Sequence, residues 1–169
     1  MKKIVFTGPE CSGKTTLSQA IAEKFNLPIV EEYARKYLTQ LKSRYEYEDL
    51  VKISKGQLKL EEKIIQLNPK KKTLICDTNL QVIKLWSFIK YSKCDSFILK
   101  NEDANAYYVL CYPDFNWEYD PLRENKNNRL EIFKKYHEDL INNKRKFIIA
   151  SGLHQQRMAL VSNQIMKMI

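Results

Sequence analysis

The fold of this chain is decided by the stretch Gly8-Pro9-Glu10-Cys11-Ser12-Gly13-Lys14-Thr15. It follows a short apolar run, residues 3–7, and precedes a helical pattern that starts at residue 14. The two glycines let a loop turn tightly and bring backbone N–H groups up to a polyphosphate, and the N-terminus of the following helix adds its positive dipole end. The stretch therefore predicts a phosphate-binding loop between a strand and a helix.

The octet also assigns chemistry to single residues, because it matches the P-loop pattern G-x-x-x-x-G-K-[ST]. Lys14 is expected to reach the β- and γ-phosphates of a nucleotide, and the Thr15 hydroxyl is expected to coordinate Mg²⁺. ATP and Mg²⁺ are therefore the predicted cofactors. The residues predicted to hold the ATP phosphates are Gly8, Glu10, Cys11, Ser12, Gly13, Lys14, Thr15 and Thr16.

Short β-branched or aromatic runs alternate with longer helical patterns along the chain, which is typical of an α/β fold. Strands are predicted at 3–7, 28–31, 73–76, 106–111 and 147–150, and helices at 14–25, 32–42, 47–67, 79–91, 129–143 and 155–168. Right-handed crossovers between parallel strands place helices on both faces of the sheet. We therefore predict a three-layer sandwich with a five-stranded parallel sheet, forming one P-loop kinase domain over residues 1–169 with a small lid at about 118–130.

The net charge of the chain and the spacing of its cysteines and histidines limit the kinds of partner and metal site that it can have. Twenty-three Lys and six Arg against 20 acidic residues give a net charge of +9, which attracts anions such as nucleotides. Because most of these cations are scattered lysines, we expect a solubilising surface and no nucleic-acid partner. The four cysteines form no C-x-x-C pair and the two histidines are isolated, so neither a zinc site nor a disulfide framework is predicted. No apolar stretch approaches the roughly 18–20 residues that span a bilayer and no signal peptide is evident, so a cytoplasmic protein is expected.

The helix predicted at 47–67 carries one amide on its apolar stripe. The stripe consists of Leu50, Ile53, Gln57, Leu60, Ile64 and Leu67. An inward-facing Gln is either a core amide with satisfied hydrogen bonds or a contact to a ligand, and both interpretations stay open. Gly56 beside it indicates a close approach by another backbone or by a substrate.

Acidic residues follow two of the predicted strands. Asp77 ends an apolar run, where a carboxylate can hold Mg²⁺ or its water shell beside the phosphate loop, or can cap the next helix. Glu31 and Glu32 follow the run 27–30, where either could accept the proton of an attacking substrate hydroxyl or interact with the helix dipole. The sequence leaves open whether Glu31, Glu32 or Asp77 is the base.

An aromatic, Pro-interrupted loop follows the fourth predicted strand, at 112–123. Trp117 in this loop could stack on a flat substrate ring or could belong to an apolar clasp over the core. The basic stretch from Arg123 to Arg129 suits a lid whose arginines close on a transferring phosphate, with a solvated loop as the alternative. The predicted catalytic residues are Lys14, Glu32, Asp77, Arg123 and Arg129.

Over nearly its whole length the chain resembles NadR-type ribosylnicotinamide kinase domains. The resemblance is carried by the P-loop octet, Glu32-Tyr33-Ala-Arg35-Lys-Tyr37, the helix from Tyr47 through Gln57, Asp77-Thr78-Asn79 and Trp117-x-x-Asp120-x-Leu122-Arg123. It implies ATP-dependent phosphorylation of the nicotinamide riboside 5′-hydroxyl, giving nicotinamide mononucleotide for NAD salvage. It also implies that Trp117 stacks on the nicotinamide, that Arg123 belongs to the lid and that Asp77 lies by the metal and the reacting hydroxyl.

The residues expected from this resemblance to contact the substrate are Glu32, Tyr33, Gln57, Asp77, Trp117 and Asp120, and those expected at the metal are Thr15 and Asp77. The chain starts directly at its first strand, so a stand-alone kinase domain without an adenylyltransferase domain is expected. Two other functions remain open. One is a P-loop ATPase or nucleotide-dependent regulator that binds a macromolecule, and the other is a kinase for another nucleoside or a polynucleotide 5′ end.

Overall fold

A five-stranded, all-parallel sheet forms the centre of the protein, as predicted. The computed structural model describes residues 1–41 and 43–168. The strands are β1 (Lys2–Thr7), β2 (Ile29–Val30), β3 (Thr73–Asp77), β4 (Tyr107–Cys111) and β5 (Lys146–Ala150). Their order across the sheet is β2-β3-β1-β4-β5. The central position of β1 places the loop that follows it between β3 and β4.

Helices connect the strands as crossovers. They are α1 (Lys14–Lys24), α2 (Tyr33–Gln40), α3 (Tyr47–Leu67), α4 (Leu80–Tyr91), α5 (Ser96–Lys100), α6 (Arg129–Asn142) and α7 (His154–Met166). The sequence pattern does not predict α5, because five residues are too few to show a helical period. The helix predicted at 32–42 corresponds to α2, and its predicted last residue, Lys42, lies outside the described residues.

The two faces of the sheet are covered by different helices, which gives the predicted three layers. Alternate residues of β1 point to opposite faces: Val5 packs with residues of α4 and α6, whereas Ile4 and Phe6 pack with residues of α1 and α7. Because both faces are buried, the strands are nearly continuous apolar runs. None of the described helices is long and apolar enough to cross a membrane.

The carboxyl ends of the strands meet at one edge of the sheet. Phe6 pairs with Asp77 of β3, and Thr7 pairs with Leu110 of β4. The loops that leave β1, β3 and β4 therefore begin side by side. Open α/β sheets bind their ligands at this edge, where the chain turns in opposite directions from neighbouring strands.

Candidate active site

The loop between β1 and α1 has the conformation that its glycines require. Gly8 and Gly13 have φ angles of 132° and 77°, in the region that favours glycine. A Cβ atom at Gly8 would lie 2.6 Å from the carbonyl oxygen of Cys111, so β4 also excludes a side chain there. The Ser12 hydroxyl donates to the carbonyl oxygen of Pro9 at 2.8 Å and closes the loop on itself. The result is a rigid cradle at the N-terminus of α1.

Lys14, the first residue of α1, lies against this cradle. Its Nζ donates to the carbonyl oxygen of Pro9 at 2.8 Å. A carbonyl is a neutral acceptor, and hydrogen bonds to charged acceptors are roughly twice as strong. A polyphosphate is therefore the better partner for this ammonium group, and the role predicted for Lys14 is compatible with where it lies.

Thr15 and Asp77 form a pair next to the loop. The Thr15 hydroxyl donates to Oδ2 of Asp77 at 2.7 Å. Asp77 is 4% exposed, and its Oδ1 has no hydrogen-bond partner among the described residues. Burial raises the pKa of the Asp77 carboxyl above its usual value, and the Thr15 hydrogen bond acts in the opposite direction. The pair therefore offers a hydroxyl oxygen and an unused carboxylate oxygen at one point.

This donor set fits Mg²⁺, which prefers oxygen ligands and keeps several of its positions for phosphate and water. No group of three or more His, Cys, Asp and Glu side chains within residues 1–41 and 43–168 could hold a metal without such additional ligands. The alternative role of Asp77 as a helix cap is not observed. Asn79 caps α4 instead, since its side chain accepts from the backbone N–H of Gln81 at 3.0 Å.

Glu32 precedes α2 and faces the same space as the loop. Its side chain makes no capping hydrogen bond, although it occupies the cap position. Burial raises the pKa of the Glu32 carboxyl, while the charge of Lys14 lowers it. Glu31 is exposed and does not line the cavity described next. Of the two glutamates, Glu32 is therefore the one placed for chemistry at the loop.

A cavity of about 330 Å³ extends from the loop between α2, α4 and α6. Its loop end carries Lys14, Glu32 and Arg35, so it combines cations and a carboxylate. The rest of its wall is mostly apolar and aromatic, and is formed by Leu38, Tyr45, Val82, Trp86, Ile89, Leu122, Ile132 and Tyr136. Val82, Trp86 and Ile89 span about 10 Å of helix α4, which is the scale of a nucleoside. Concave apolar pockets with a few charged groups at one end are typical of small-molecule sites.

A second cavity, of about 480 Å³, adjoins the loop on the side of α7. It shares Cys11, Gly13, Thr16 and Arg123 with the first cavity and adds Leu17, Phe115, Asn116, Glu118, His154 and Arg157. Arg157 is 1% exposed and donates to the Ser12 carbonyl at 2.7 Å, with its guanidinium 4.4 Å from the centre of the Phe115 ring. The sequence analysis did not identify this wall, because Phe115 and Arg157 show no motif.

The predicted lid segment is fastened onto the loop. The Glu10 carboxylate accepts from the backbone N–H groups of Glu124 and Asn125, at 3.1 and 2.9 Å. Arg129 donates to the carbonyl oxygen of Cys11 at 3.3 Å, and Arg123 lies 3.5 Å from the Cys11 sulfur. The carboxylate of Glu10 is therefore hydrogen-bonded to the predicted lid. Only the backbone N–H of Glu10 is left to contact a phosphate.

Asp120 also fastens this segment. Its carboxylate accepts from Arg35 of α2 at 2.9 Å. The arginine and a backbone hydrogen bond from Leu122 lower the pKa of the Asp120 carboxyl, and the backbone bond has the larger effect. The predicted substrate residue Asp120 thus lies next to Arg35, which lines the first cavity, but is not itself part of that lining.

Trp117 lies between two lid arginines. Its ring centre is 6.0 Å from the Arg123 guanidinium and 5.8 Å from that of Arg129, distances typical of cation–π contacts. Trp117 does not line either cavity, so stacking on the acceptor ring stays a prediction for this residue. Tyr45, Trp86 and Tyr136 do line the first cavity, and the sequence analysis did not single them out.

Tyr33 contacts both Gly56 and Gln57, and it explains why residue 56 is a glycine. A Cβ atom at Gly56 would lie 2.0 Å from the Tyr33 ring, so the close approach is that of an aromatic side chain. The backbone N–H of Tyr33 donates to Oε1 of Gln57 at 2.9 Å. The buried Nε2 of Gln57 has no partner among the described residues. Gln57 and Tyr33 lie outside the cavity lining, and their predicted substrate contacts stay predictions.

Comparison with known proteins agrees with this architecture. Residues 3–157 match the AAA domain family. The fold is similar to that of the NadR protein in complex with NR, with a TM-score of 0.79, 17% identity and 98% of this chain covered. A thymidylate kinase from Ehrlichia chaffeensis gives a TM-score of 0.67 at 16% identity, and a deoxyadenosine kinase from M. mycoides with bound dATP gives 0.58 at 15%.

The extent of these matches differs. This chain spans 51% of the NadR chain, but 98% of the thymidylate kinase and of the deoxyadenosine kinase. No protein of curated function matches the sequence. At such low identity the likeness shows the fold, which is that of P-loop kinases, and function has to be argued from the site.

Proposed function

Because the chain belongs to the AAA domain family and has a P-loop kinase fold, we propose that it transfers the γ-phosphoryl group of ATP to a hydroxyl of a nucleoside, nicotinamide riboside being the acceptor. The observation that carries this proposal is the meeting of two cavities at the phosphate loop, which share Cys11, Gly13 and Thr16, with Lys14 and Glu32 in the first. A nucleotide in one cavity and an acceptor in the other would bring their reacting groups together at this loop.

ATP occupies the loop and the second cavity in this proposal. The triphosphate lies along the backbone N–H groups of residues 8–16 and at the N-terminus of α1, where helix dipole and Lys14 favour negative charge. The adenine lies against the partly exposed ring of Phe115, which the buried Arg157 guanidinium supports at 4.4 Å from the ring centre. ATP would thereby bind on the side of α7 and leave the first cavity to the acceptor.

Thr15 and Asp77 would hold Mg²⁺, through the hydroxyl oxygen and the carboxylate oxygen that has no protein partner. When it is bound, the ion neutralises part of the negative charge on the phosphate oxygens. Asp77 would then bind the metal ion and would not be the base that accepts the substrate proton.

Glu32 is then the residue that accepts the proton of the acceptor hydroxyl. It lines the first cavity, makes no capping hydrogen bond, and has a pKa raised by burial, which makes it a better base near neutral pH than an exposed glutamate. Lys14 and the lid arginines Arg123 and Arg129 stabilise charge on the transferring phosphoryl group. Arg123 and Arg129 already contact the loop at Cys11, so a small movement of the lid suffices.

An acceptor screen tests this function. Purified protein with Mg·ATP is incubated with nicotinamide riboside, with deoxyadenosine, with thymidine, with thymidine monophosphate, and without acceptor, while ADP release and product mass are followed. Nicotinamide mononucleotide as the dominant product supports the proposal. ADP release that does not depend on an acceptor contradicts it and favours an ATPase.

A kinase for a different nucleoside or nucleotide is the second candidate. The observation in its favour is length, because the chain covers nearly all of the deoxyadenosine kinase and the thymidylate kinase but half of the NadR chain. The same screen separates the two candidates. Phosphorylation of deoxyadenosine, thymidine or thymidine monophosphate at a higher kcat/KM than nicotinamide riboside would favour this candidate.

A further inference from the structure

We propose that Trp86 and Tyr45 form the surface that binds the planar ring of the acceptor, and that they set the specificity of the site for ring-bearing acceptors. The inference rests on the proposed function in so far as the first cavity is the acceptor site. It assigns the ring to residues that neither the motifs nor the fold comparison indicate. It also separates the ring-binding role from Trp117.

Trp86 presents part of a large aromatic ring to the first cavity. It lies one helical turn after Val82 on α4 and is half-buried, whereas its neighbours Leu85 and Ser87 are buried. Tyr136, which is 1% exposed, lines the same cavity. What the cavity meets is therefore a large aromatic ring whose neighbours on the helix are buried.

Tyr45 provides a second ring at the same place. Its ring centre lies 6.4 Å from that of Trp86, with 31° between the two planes. Although Tyr45 lies in the segment between α2 and α3, two contacts hold it. The Tyr91 hydroxyl donates to its carbonyl oxygen at 3.2 Å, and the Lys90 ammonium lies 3.6 Å from its ring centre.

The faces of these rings suit a flat acceptor ring. Lys90 pairs with Glu124 at 3.5 Å, and its ammonium lies 3.6 Å from the centre of the Tyr45 ring. Glu124 and Glu32 contribute negative charge to the cavity lining. A flat ring gains stacking energy on Trp86 and Tyr45, and a cationic ring gains additional attraction from the aromatic faces.

Trp117 has neither of these features. Its ring centre lies 6.0 Å from the guanidinium group of Arg123 and 5.8 Å from that of Arg129, and Trp117 lines no cavity among the described residues. Trp117 is therefore a positioning residue for the lid arginines.

The chain contains two tryptophans, Trp86 and Trp117, which makes a direct binding test possible. Trp117→Phe leaves Trp86 as the fluorescent indole, and Trp86→Phe leaves Trp117. Each variant is titrated, in the absence of ATP, with the nucleoside that the wild-type protein phosphorylates, which is nicotinamide riboside under the proposed function. We expect saturable quenching in Trp117→Phe and none in Trp86→Phe. Quenching in Trp86→Phe alone, or in neither variant, overturns the proposal.

Steady-state kinetics supply the second readout. We expect Trp86→Ala to raise the acceptor KM roughly tenfold or more while the ATP KM stays nearly constant, and Trp86→Phe to restore most of the loss. Trp117→Ala should instead lower kcat and leave the acceptor KM nearly unchanged. If Trp86→Ala fails to fold, Tyr45→Leu tests the same surface through the same KM ratio. An unchanged acceptor KM in a folded Trp86→Ala or Tyr45→Leu protein contradicts the proposal.

Failure of the proposed function is recognised separately. If the wild-type protein phosphorylates deoxyadenosine or thymidine and not nicotinamide riboside, the acceptor identity is wrong, and the fluorescence titration with the phosphorylated nucleoside still decides the role of Trp86. If no acceptor is phosphorylated and no compound changes either indole, both proposals are wrong.

Discussion

At the scale of single residues, Glu31 and Glu32 differ in whether they line the first cavity. Both are acids directly before α2, but Glu32 lines the first cavity and Glu31 is exposed. Because burial raises the pKa of Glu32, its carboxylate is lost on acidification at a higher pH than that of an ordinary glutamate. We expect kcat to fall as pH decreases through this raised pKa. Glu32→Gln should lower kcat and remove this acidic limb, as measured in a pH–rate profile.

Glu31→Gln is the matched control for this prediction, because it removes the same charge at the neighbouring position. It should retain both kcat and the acidic limb. The stability readout has a defined sign as well: a buried carboxyl with a raised pKa costs stability when it ionises, so Glu32→Gln should not lower the free energy of unfolding at neutral pH. Loss of the acidic limb of the pH–rate profile in Glu31→Gln would instead identify Glu31, and not Glu32, as the base.

Lys14 supplies the second prediction at this scale. Its Nζ donates to the Pro9 carbonyl oxygen, a neutral acceptor in the loop that a phosphate oxygen can replace. Lys14→Ala should therefore lower kcat at least about 10²-fold, the scale of losing one donor to a developing charge, with little change in thermal unfolding. Lys36→Ala, at an exposed position of α2, is the control. Retention of most activity in Lys14→Ala would contradict the mechanism.

Single residues also mark the limit of what the sequence can predict. The phosphate loop is predictable because its glycines and Lys-Thr pair are required by backbone geometry and charge. Trp86 is not, because an aromatic residue on the apolar stripe of a helix has the same pattern whether it packs in a core or lines a cavity. The two roles open for Asp77 are distinguished by Asn79, whose capping bond to Gln81 depends on the backbone conformation after β3.

At the scale of elements, Asp49 joins α2 to the start of α3. Its carboxylate accepts from the backbone N–H of Glu46, the Tyr37 hydroxyl and the Lys52 ammonium, at 2.9, 2.8 and 2.9 Å. The backbone bond from Glu46 and the bond from Lys52 lower the pKa of Asp49 to about 2. Asp49→Ala should lower the free energy of unfolding by about 1–2 kcal/mol, the upper range for losing a helix cap.

The pH dependence of this effect follows from the lowered pKa. The stabilisation is present above the unfolded value of 3.8 and is lost as pH falls towards about 2. Denaturant unfolding of wild-type and Asp49→Ala protein should therefore differ at neutral pH and converge at strongly acidic pH. Glu48→Ala, at an exposed position of the same helical turn, is the control. An equal loss in both variants would indicate a general charge effect.

The elements themselves are predictable to within two residues where burial imposes a period. The parallel strands are apolar runs because both faces are covered. The predicted stripe of α3 is buried or partly buried from Leu50 to Ile64, but its last member, Leu67, is 65% exposed because the helix ends there. Helix α5 escapes prediction because its five residues are specified by the Asp95 side chain, which accepts from the backbone N–H of Phe97 at 2.7 Å. Short helices depend on such local bonds, and a hydrophobic period does not reveal them.

At the scale of the whole molecule, a buried polar cluster centred on Lys84 ties the cavity wall to the rest of the fold. Lys84 of α4 is 4% exposed, and its Nζ lies 2.7 Å from carboxylate oxygens of both Glu102 and Asp139. Gln81 donates to Asp139 at 3.0 Å and accepts from Thr7 at 2.8 Å. The cluster therefore connects α4, α6 and the carboxyl end of β1, which leads into the phosphate loop.

Removing the central cation should cost more than removing a surface ion pair. Lys84→Met leaves two buried carboxylates without their shared partner, and such a loss costs about 3–5 kcal/mol. Arg145, 3.7 Å from Glu102, compensates part of it, so we expect about 3 kcal/mol in denaturant unfolding at pH 7. Lys52→Met, at the exposed end of its pair with Asp49, should cost at most about 1 kcal/mol. Equal losses in the two variants would contradict the conclusion that the buried cluster around Lys84 stabilises the fold more than a surface ion pair does.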